Sequence, residues 1–296
     1  MAIDTLELTD HLSLVLGTRK GHFPTSYSFL VRDEISALID TGCGLDLLRE
    51  INEKFNIDIL LNSHGHPDHS AGNFLFPDKP LHVPKMGAKS HGRLELLSRR
   101  FFPNEVQAER WRAWIRQTMG FSDRQPTDFF DDGDIFDFGR TRLQAIHTPG
   151  HTQDHFCFLE LGSGILLAFD IDLTSFGPWY GNVESSLKDF RSAIAKVRDF
   201  KPHAIASSHR LPVLRNIEEH LNKYESVFDR RNKLILDMIR KGASRSEILR
   251  GKPIYRRHPF ARDVLPLFEA RMVDLHLEEM IELGMVRFEN GKLLPA

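Results

Sequence analysis

The sequence predicts an α/β protein with a helical C-terminal part, and three observations carry that reading. As far as about Pro212, short apolar runs of strand length alternate with stretches of helical spacing. Several of those runs end on a histidine or an aspartate. Beyond Pro212 the strand signal nearly vanishes and helical spacing takes over.

Taken in order, residues 28–32 (SFLVR) and 35–40 (ISALID) are apolar runs split by Asp33-Glu34, a hairpin signal. Residues 47–55 have helical spacing, and 57–62 (IDILLN) read as a buried strand. Across residues 84–126 Leu94, Leu97, Trp111, Trp114 and Ile115 recur at helical spacing among arginines, which predicts an inserted helical segment placed like a lid. Strand patterns return at 135–138, 143–147, 157–161 and 165–169, followed by a helix at 187–198 and a last strand at 204–207 (AIAS). In the tail, Ile217, Leu221, Tyr224, Phe228, Ile235 and Met238 mark one long amphipathic helix. Ser244-Arg245-Ser246-Glu247 is a capping-box pattern opening a second helix. Residues 261–284 predict a third, interrupted near Pro266, and 286–294 a hairpin around Asn290-Gly291. Three helices and a hairpin outline a winged helix, so the chain divides into residues 1–212 and 213–296.

Composition narrows the class. Hydrophobic residues at 41% and charged residues at 27% are ordinary for a soluble protein, and a net charge of −2 gives no general field for nucleic acid. Two cysteines, Cys43 and Cys157, fit a reducing compartment. The start, MAIDTLELTD, lacks the pattern of a secretory signal, and no apolar run is long enough to span a membrane. A cytoplasmic location is the expectation.

The chemistry concentrates at Ser63-His64-Gly65-His66-Pro67-Asp68-His69, where a buried strand ends. His64 and His66 are two apart, so in extended backbone they point the same way and can share one ion. Pro67 ends the strand, and Asp68 and His69 on the next turn can serve a second ion. Imidazole and carboxylate are ligands for zinc, iron and manganese. Three further segments add strand-end candidates: His147-Thr148-Pro149-Gly150-His151-Thr152, Leu166-Leu167-Ala168-Phe169-Asp170, and Ala206-Ser207-Ser208-His209.

Together these motifs resemble the metallo-β-lactamase-fold hydrolases. The likeness covers residues 12–212 and includes Asp40-Thr41-Gly42, the HxHxDH cluster, TPGHT, the Asp170 strand and His209. It implies an αβ/βα four-layer sandwich with the metals at one edge. It implies that His64, His66 and His151 hold one metal, that Asp68, His69 and His209 hold another, and that Asp170 bridges both. Asp40 would orient the ligand loop without touching metal. The family's bridging aspartate usually follows a glycine; here Phe169 precedes Asp170, which makes Asp172 a rival. That position is not cysteine, which argues against a dedicated β-lactamase.

The implied reaction is hydrolysis by a metal-bridging hydroxide on a small ester, thioester or lactone-like substrate, with two divalent ions, zinc ahead of iron or manganese. Asp68 is a candidate proton acceptor, and Tyr180, just past the Asp170 strand, a candidate oxyanion donor, the other reading being that Trp179 and Tyr180 are core aromatics on a rigid turn. The alternatives are a single-strand endoribonuclease, a mononuclear-iron persulfide dioxygenase and, least favoured, a DNA-binding sensor. His220-Leu221, Arg230-Arg231-Asn232, Ile254-Tyr255 and His276-Leu277 resemble the winged-helix-like tail of the glyoxalase II-related group and of a lactamase-like endoribonuclease. Arg256, Arg257 and Arg262 could meet nucleic acid, but Glu278, Glu279, Glu282 and Glu289 lie close by, so a small molecule is the favoured partner. The insertion and tail are places for homodimer contacts. His147 and His155 should lie beside the site or face solvent, His82, His91, His203 and His258 should lie on the surface, and Cys157 in the core.

Overall fold

The computed structural model describes residues 3–257, 261 and 263–296. His258 and Arg262 lie outside the described residues. The chain runs β1 (Thr5–Glu7), β2 (Leu12–Val15), β3 (Ser28–Val31), β4 (Ala37–Ile39), α1 (Leu45–Lys54), β5 (Ile59–Leu61), α2 (Pro67–Ser70) and β6 (Leu81–Pro84). The insertion supplies α3 (Leu94–Phe101) and α4 (Glu105–Met119), and then come β7 (Asp128–Phe130), β8 (Ile135–Asp137), β9 (Arg142–His147), β10 (Phe156–Glu160) and β11 (Ile165–Phe169). The rest is α5 (Leu187–Asp199), β12 (Ala204–Ser207), α6 (Ile217–Arg240), α7 (Arg245–Gly251), α8 (Leu265–Glu282), β13 (Val286–Glu289) and β14 (Lys292–Pro295).

The first sheet takes its strands in chain order, β1 to β7, antiparallel up to β4 and parallel from there. The second is ordered β12-β11-β10-β9-β8, antiparallel except for the β11–β12 pair. Their facing sides form one core, in which Leu12, Leu14, Phe29 and Ile39 meet Phe156, Phe158, Leu167 and Phe169. Leu48 and Ile51 of α1 cover the other side of the first sheet. Leu166 and Ala168 on the outer side of the second pack under Phe190 and Ile194 of α5 and under Tyr224 and Phe228 of α6. All five residues of β11 are buried because both its faces are covered, which is why it reads as an unbroken apolar run. The α/β expectation and the sandwich therefore hold.

Strands β1, β2, β6 and β7 went unread in the sequence. Each has three or four residues, too few to show a period, and β6 and β7 flank the insertion, where the helical pattern dominates. Pro266 does not interrupt the third tail helix: α8 begins at Leu265, so the proline sits in its first turn, where its missing N–H would have no partner anyway. The capping box at Ser244 and Glu247 is formed.

The insertion and the tail meet each other. Leu97, Phe101, Trp111 and Ile115 share a core with Leu265 and Phe268 of α8, and Phe102 stacks on Phe268 at 5.5 Å. Segments far apart in sequence thus form one wall above the sheet edge where the histidines lie.

Candidate metal centre

Strand ends and tight loops bring the histidines together. β5 delivers His64 and His66, Pro67 opens the single turn α2, and that turn carries Asp68 and His69. The loop after β9 brings His151, β11 ends one residue before Asp170, and β12 ends two residues before His209. Two motif glycines are required by close packing. A Cβ on Gly42 would fall 1.7 Å from the Asp68 carbonyl oxygen. Gly150 has φ +128° and lies against the backbone of Phe190 at the start of α5.

Donor atoms of His64, His66, His151 and Asp170 lie within 4.8 Å of one another, as do those of Asp68, His69 and His209. Asp170 stands between the sets. Its Oδ2 is 2.9 Å from His151 Nε2 and 3.8 Å from His64 Nε2, while its Oδ1 is 3.0 Å from His69 Nε2 and 3.4 Å from His209 Nε2. His209 Nε2 is also 3.5 Å from Asp68 Oδ2. Asp172, the rival, accepts from the backbone and hydroxyl of Thr174 and belongs to neither set.

The unusual Phe169 has a structural explanation. Its φ is +46°, at a register irregularity between β11 and β12, a conformation that glycine adopts freely and that costs another residue about 1–2 kcal/mol. Phe169 offsets this by packing edge-on against Phe29 and Phe158, with centroids 5.4 and 5.7 Å away.

The remaining nitrogen of each imidazole is held. Asp40 Oδ2 accepts from His69 Nδ1 at 2.7 Å, and Asp40 also accepts from the Ser63 amide and hydroxyl, both at 2.8 Å. Ser63 Oγ lies 3.0 Å from His64 Nδ1. The Trp179 carbonyl accepts from His151 Nδ1 at 2.9 Å, and the Gly21 carbonyl from His209 Nδ1 at 2.7 Å. The Asn182 amide is 3.0 Å from His66 Nε2, which turns Nδ1 of that ring inward to within 2.9 Å of His151 Nε2. Such partners fix tautomer and ring orientation in metal sites.

Burial and charge set the protonation. Burial, with neighbouring imidazoles adding to it, holds His64 and His66 well below the usual histidine range. Burial also opposes charge on His69, but the carboxylates of Asp170, Asp40 and Asp68 overcome it and push His69 well above that range. His209 is likewise pushed up to about 9, against its burial, chiefly by Asp170. Burial would raise Asp170, yet His69, His151 and His209 hold it well below the usual carboxylate range.

The residues present fit divalent cations. His64 Nε2, His69 Nε2 and Asp170 Oδ1 are buried with no hydrogen-bond partner; the 3.0 Å approach of the last two lacks the alignment a hydrogen bond requires. Orphaned buried polar atoms of this kind cost about 1–3 kcal/mol each, and all three are good ligands for zinc-type ions.

The cluster forms the floor of a cavity of about 370 Å3. Phe101, Trp111, Trp114, Ile115 and Met119 from the insertion line its wall, with Tyr255, Leu265 and Phe268 from the tail and Phe176 and Trp179 from the loop after β11. No lysine or arginine lines it among the described residues.

The structure corrects two readings, those of Tyr180 and His91. Tyr180 is fully buried and does not line the cavity; its hydroxyl lies 2.6 Å from His276 Nε2 and accepts from Arg231 at 2.7 Å, so it is not placed to meet an oxyanion. His91 is fully buried rather than on the surface, with Nε2 2.9 Å from the side-chain oxygen of Asn62. His155, as expected, lies beside the site without joining either ligand set: it is buried, and its Nε2 accepts from the Asp170 backbone amide at 3.2 Å. Asn182 and the Trp179 carbonyl gave no local signal, since nothing in Trp179-Tyr180-Gly181-Asn182 resembles a ligand-supporting motif. Ser63 was detectable only through its position beside His64.

The pattern of the metallo-beta-lactamase superfamily matches residues 21–209, and the chain belongs to that superfamily. It is 27% identical over 158 residues to an acyl-coenzyme A thioesterase of Bos taurus, an alignment covering 48% of this chain and 57% of that protein. The chain thus spans little more than half of that relative. It is 26% identical over 313 residues to a lactamase-like protein of Aspergillus fumigatus, covering 97% of this chain and 83% of that one. A hydroxyacylglutathione hydrolase of Francisella philomiragia is 25% identical over 190 residues, covering 60% and 61%. Among solved structures, a metallo-beta-lactamase family protein from Thermus thermophilus superposes with a TM-score of 0.73 at 20% identity, over 98% of this chain and 100% of that one.

Proposed function

We propose that this protein is a metal-dependent hydrolase of esters or thioesters whose acyl group is apolar and bulky. The observation that carries the reading is the cavity itself, in which a His/Asp cluster forms the floor and aromatic rings from two distant segments form the wall. The thioesterase and hydroxyacylglutathione hydrolase among the relatives support the reaction class.

When bound, two divalent cations, zinc first among them, would supply Lewis acidity to the scissile carbonyl and acidify the attacking water. His64, His66 and His151 would hold one and Asp68, His69 and His209 the other, with one oxygen of Asp170 directed to each set. With Oδ2 of Asp68 turned toward His69 and His209, its other carboxylate oxygen would take the proton. The aromatic wall would hold the acyl group and keep water from all but the reacting carbon, so apolar burial would contribute about 25 cal/mol per Å2 to binding. An uncharged wall suits such a group better than a polyanion. In this reading residues 1–212 are the hydrolytic unit and 213–296 complete the wall.

The test is hydrolysis of acyl thioesters and nitrophenyl esters of increasing acyl size, before and after chelation. Activity that chelator abolishes, zinc restores, and larger apolar acyl groups raise in kcat/KM is the expected result. Chelator-insensitive turnover, or preference for a small hydroxyacyl group, would overturn it.

A further inference from the structure

The loop between β11 and α5 does two jobs at the first ligand set. Its Trp179 carbonyl orients His151 and its Asn182 amide orients His66. The ends of the loop pair with the sandwich, at Asp170, Asp172, Leu173 and Ser186, but between Phe176 and Val183 arginines from outside hold several of its carbonyls. Arg231 of α6, buried in the tail, donates to the carbonyls of Pro178 at 2.6 Å and Phe176 at 2.8 Å and lies 4.8 Å above the Phe176 ring. Arg271 of α8 donates to the carbonyls of Asn182 at 3.3 Å and Val183 at 3.1 Å. Arg100 of α3 pairs with Glu184 and with the buried Asp154, and its carbonyl accepts from the Val183 amide at 3.0 Å. The imidazoles of the second set take their orienting bonds from the sandwich instead, with the tail nearby through Tyr224, which donates to the Asp170 carbonyl at 3.0 Å, and His220, 3.4 Å from Arg210. His69 rests on Asp40 and His209 on the Gly21 carbonyl, both in loops of the first sheet's side of the sandwich.

We infer that Arg231 and Arg271 are positioning residues for the first metal site alone: the tail, through these two side chains, sets the geometry of His66 and His151 and leaves the His69–His209 site independent. This rests on the metal reading proposed above. Guanidinium groups suit the task because each spans two carbonyls with a planar, rigid fork, a geometry the three rotatable donors of an ammonium group match less well.

The test is cobalt(II) titration of metal-stripped full-length protein, followed by visible absorption and calorimetry, in two backgrounds. In His209→Ala, which leaves the first set intact, adding Arg231→Met should weaken cobalt binding by about 10- to 100-fold, the usual effect of losing a partner that orients a ligand. In His64→Ala, which disables the first set, the same addition should leave cobalt affinity unchanged. Arg231→Lys should restore part of the loss, and Arg245→Met, which breaks a tail ion pair with Asp274 remote from the loop, should alter neither background. Equal weakening in both backgrounds, or no change in either, overturns the inference. Should Arg231→Met fail to fold, Arg271→Gln carries the same comparison with the same outcomes. Wild-type protein that binds no cobalt would instead overturn the metal reading itself, so the two failures are distinguishable.

Discussion

The floor and the wall of the cavity are built on different principles. On the floor, ligand residues come from the ends of four strands of the sandwich, β5, β9, β11 and β12, and the ring nitrogen of each ligand histidine not facing the cluster has a partner within 3.0 Å. On the wall, two segments far apart in the chain meet largely through apolar contact, such as Phe101 against Phe268 at 6.0 Å, with one hydrogen bond from Trp179 Nε1 to the Tyr255 hydroxyl at 2.7 Å beside them. Directional bonds tolerate little displacement, whereas apolar contacts tolerate exchange of one side chain for another of similar volume. The floor can therefore stay constant while the wall changes what enters, which is how one fold serves many substrates.

The sharpest way to break this contrast is Asp170→Asn, which removes the one carboxylate shared by both ligand sets. Hydrolysis should fall to the uncatalysed baseline and metal content per chain should drop, measured by elemental analysis, while the fold is retained by circular dichroism. Metal content equal to wild type would show that Asp170 is not shared.

On the wall, Trp111→Ala removes a ring only 1% exposed and should cost about 3–5 kcal/mol of stability in denaturant unfolding. It should also raise KM for large apolar acyl groups far more than for acetyl, with metal content unchanged. Equal effects on both substrates would erase the division between floor and wall.

Asp40→Asn keeps the shape but weakens the bond to His69. Metal affinity should fall by about 10- to 100-fold, chiefly at the second site, as read by competition with a chromophoric chelator.

The smallest expected effect tests the tail. Burial, with Arg231 and Arg191 adding to it, holds His276 down to about 3. A histidine depressed in the folded state leaves stability intact above its unfolded value near 6.5, and stability is lost as pH falls below that value toward 3. The loss approaches roughly 1.4 kcal/mol per pH unit for this one proton. His276→Gln should therefore flatten the fall in stability between pH 7 and pH 5, measured by urea unfolding. An unchanged slope would place the tail's pH dependence elsewhere.

Much of this could be read from residue order alone. The α/β class, the last strand at Ala204–Ser207, the capping box at Ser244 and the ligand candidates follow from local patterns, because spacing two apart in a strand and polar residues at strand ends are local facts. The preference for Asp170 over Asp172 also came from order, and the positive φ at Phe169 now explains why a glycine is common before that aspartate. What supports the imidazoles was not legible: Asn182 is 116 positions from His66, and no pattern in either segment announces the other. Tyr180 looked like a catalytic hydroxyl from its distance along the chain, but a chain position does not say which way a side chain turns, and here it turns into the tail's polar network. The meeting of the insertion with α8 is likewise a tertiary fact, since apolar burial is non-directional and any of several faces could have covered those rings. Chemistry that depends on neighbours in sequence was determined by the sequence itself; orientation and substrate selection, which depend on neighbours in space, were decided only when the sheets, insertion and tail packed together.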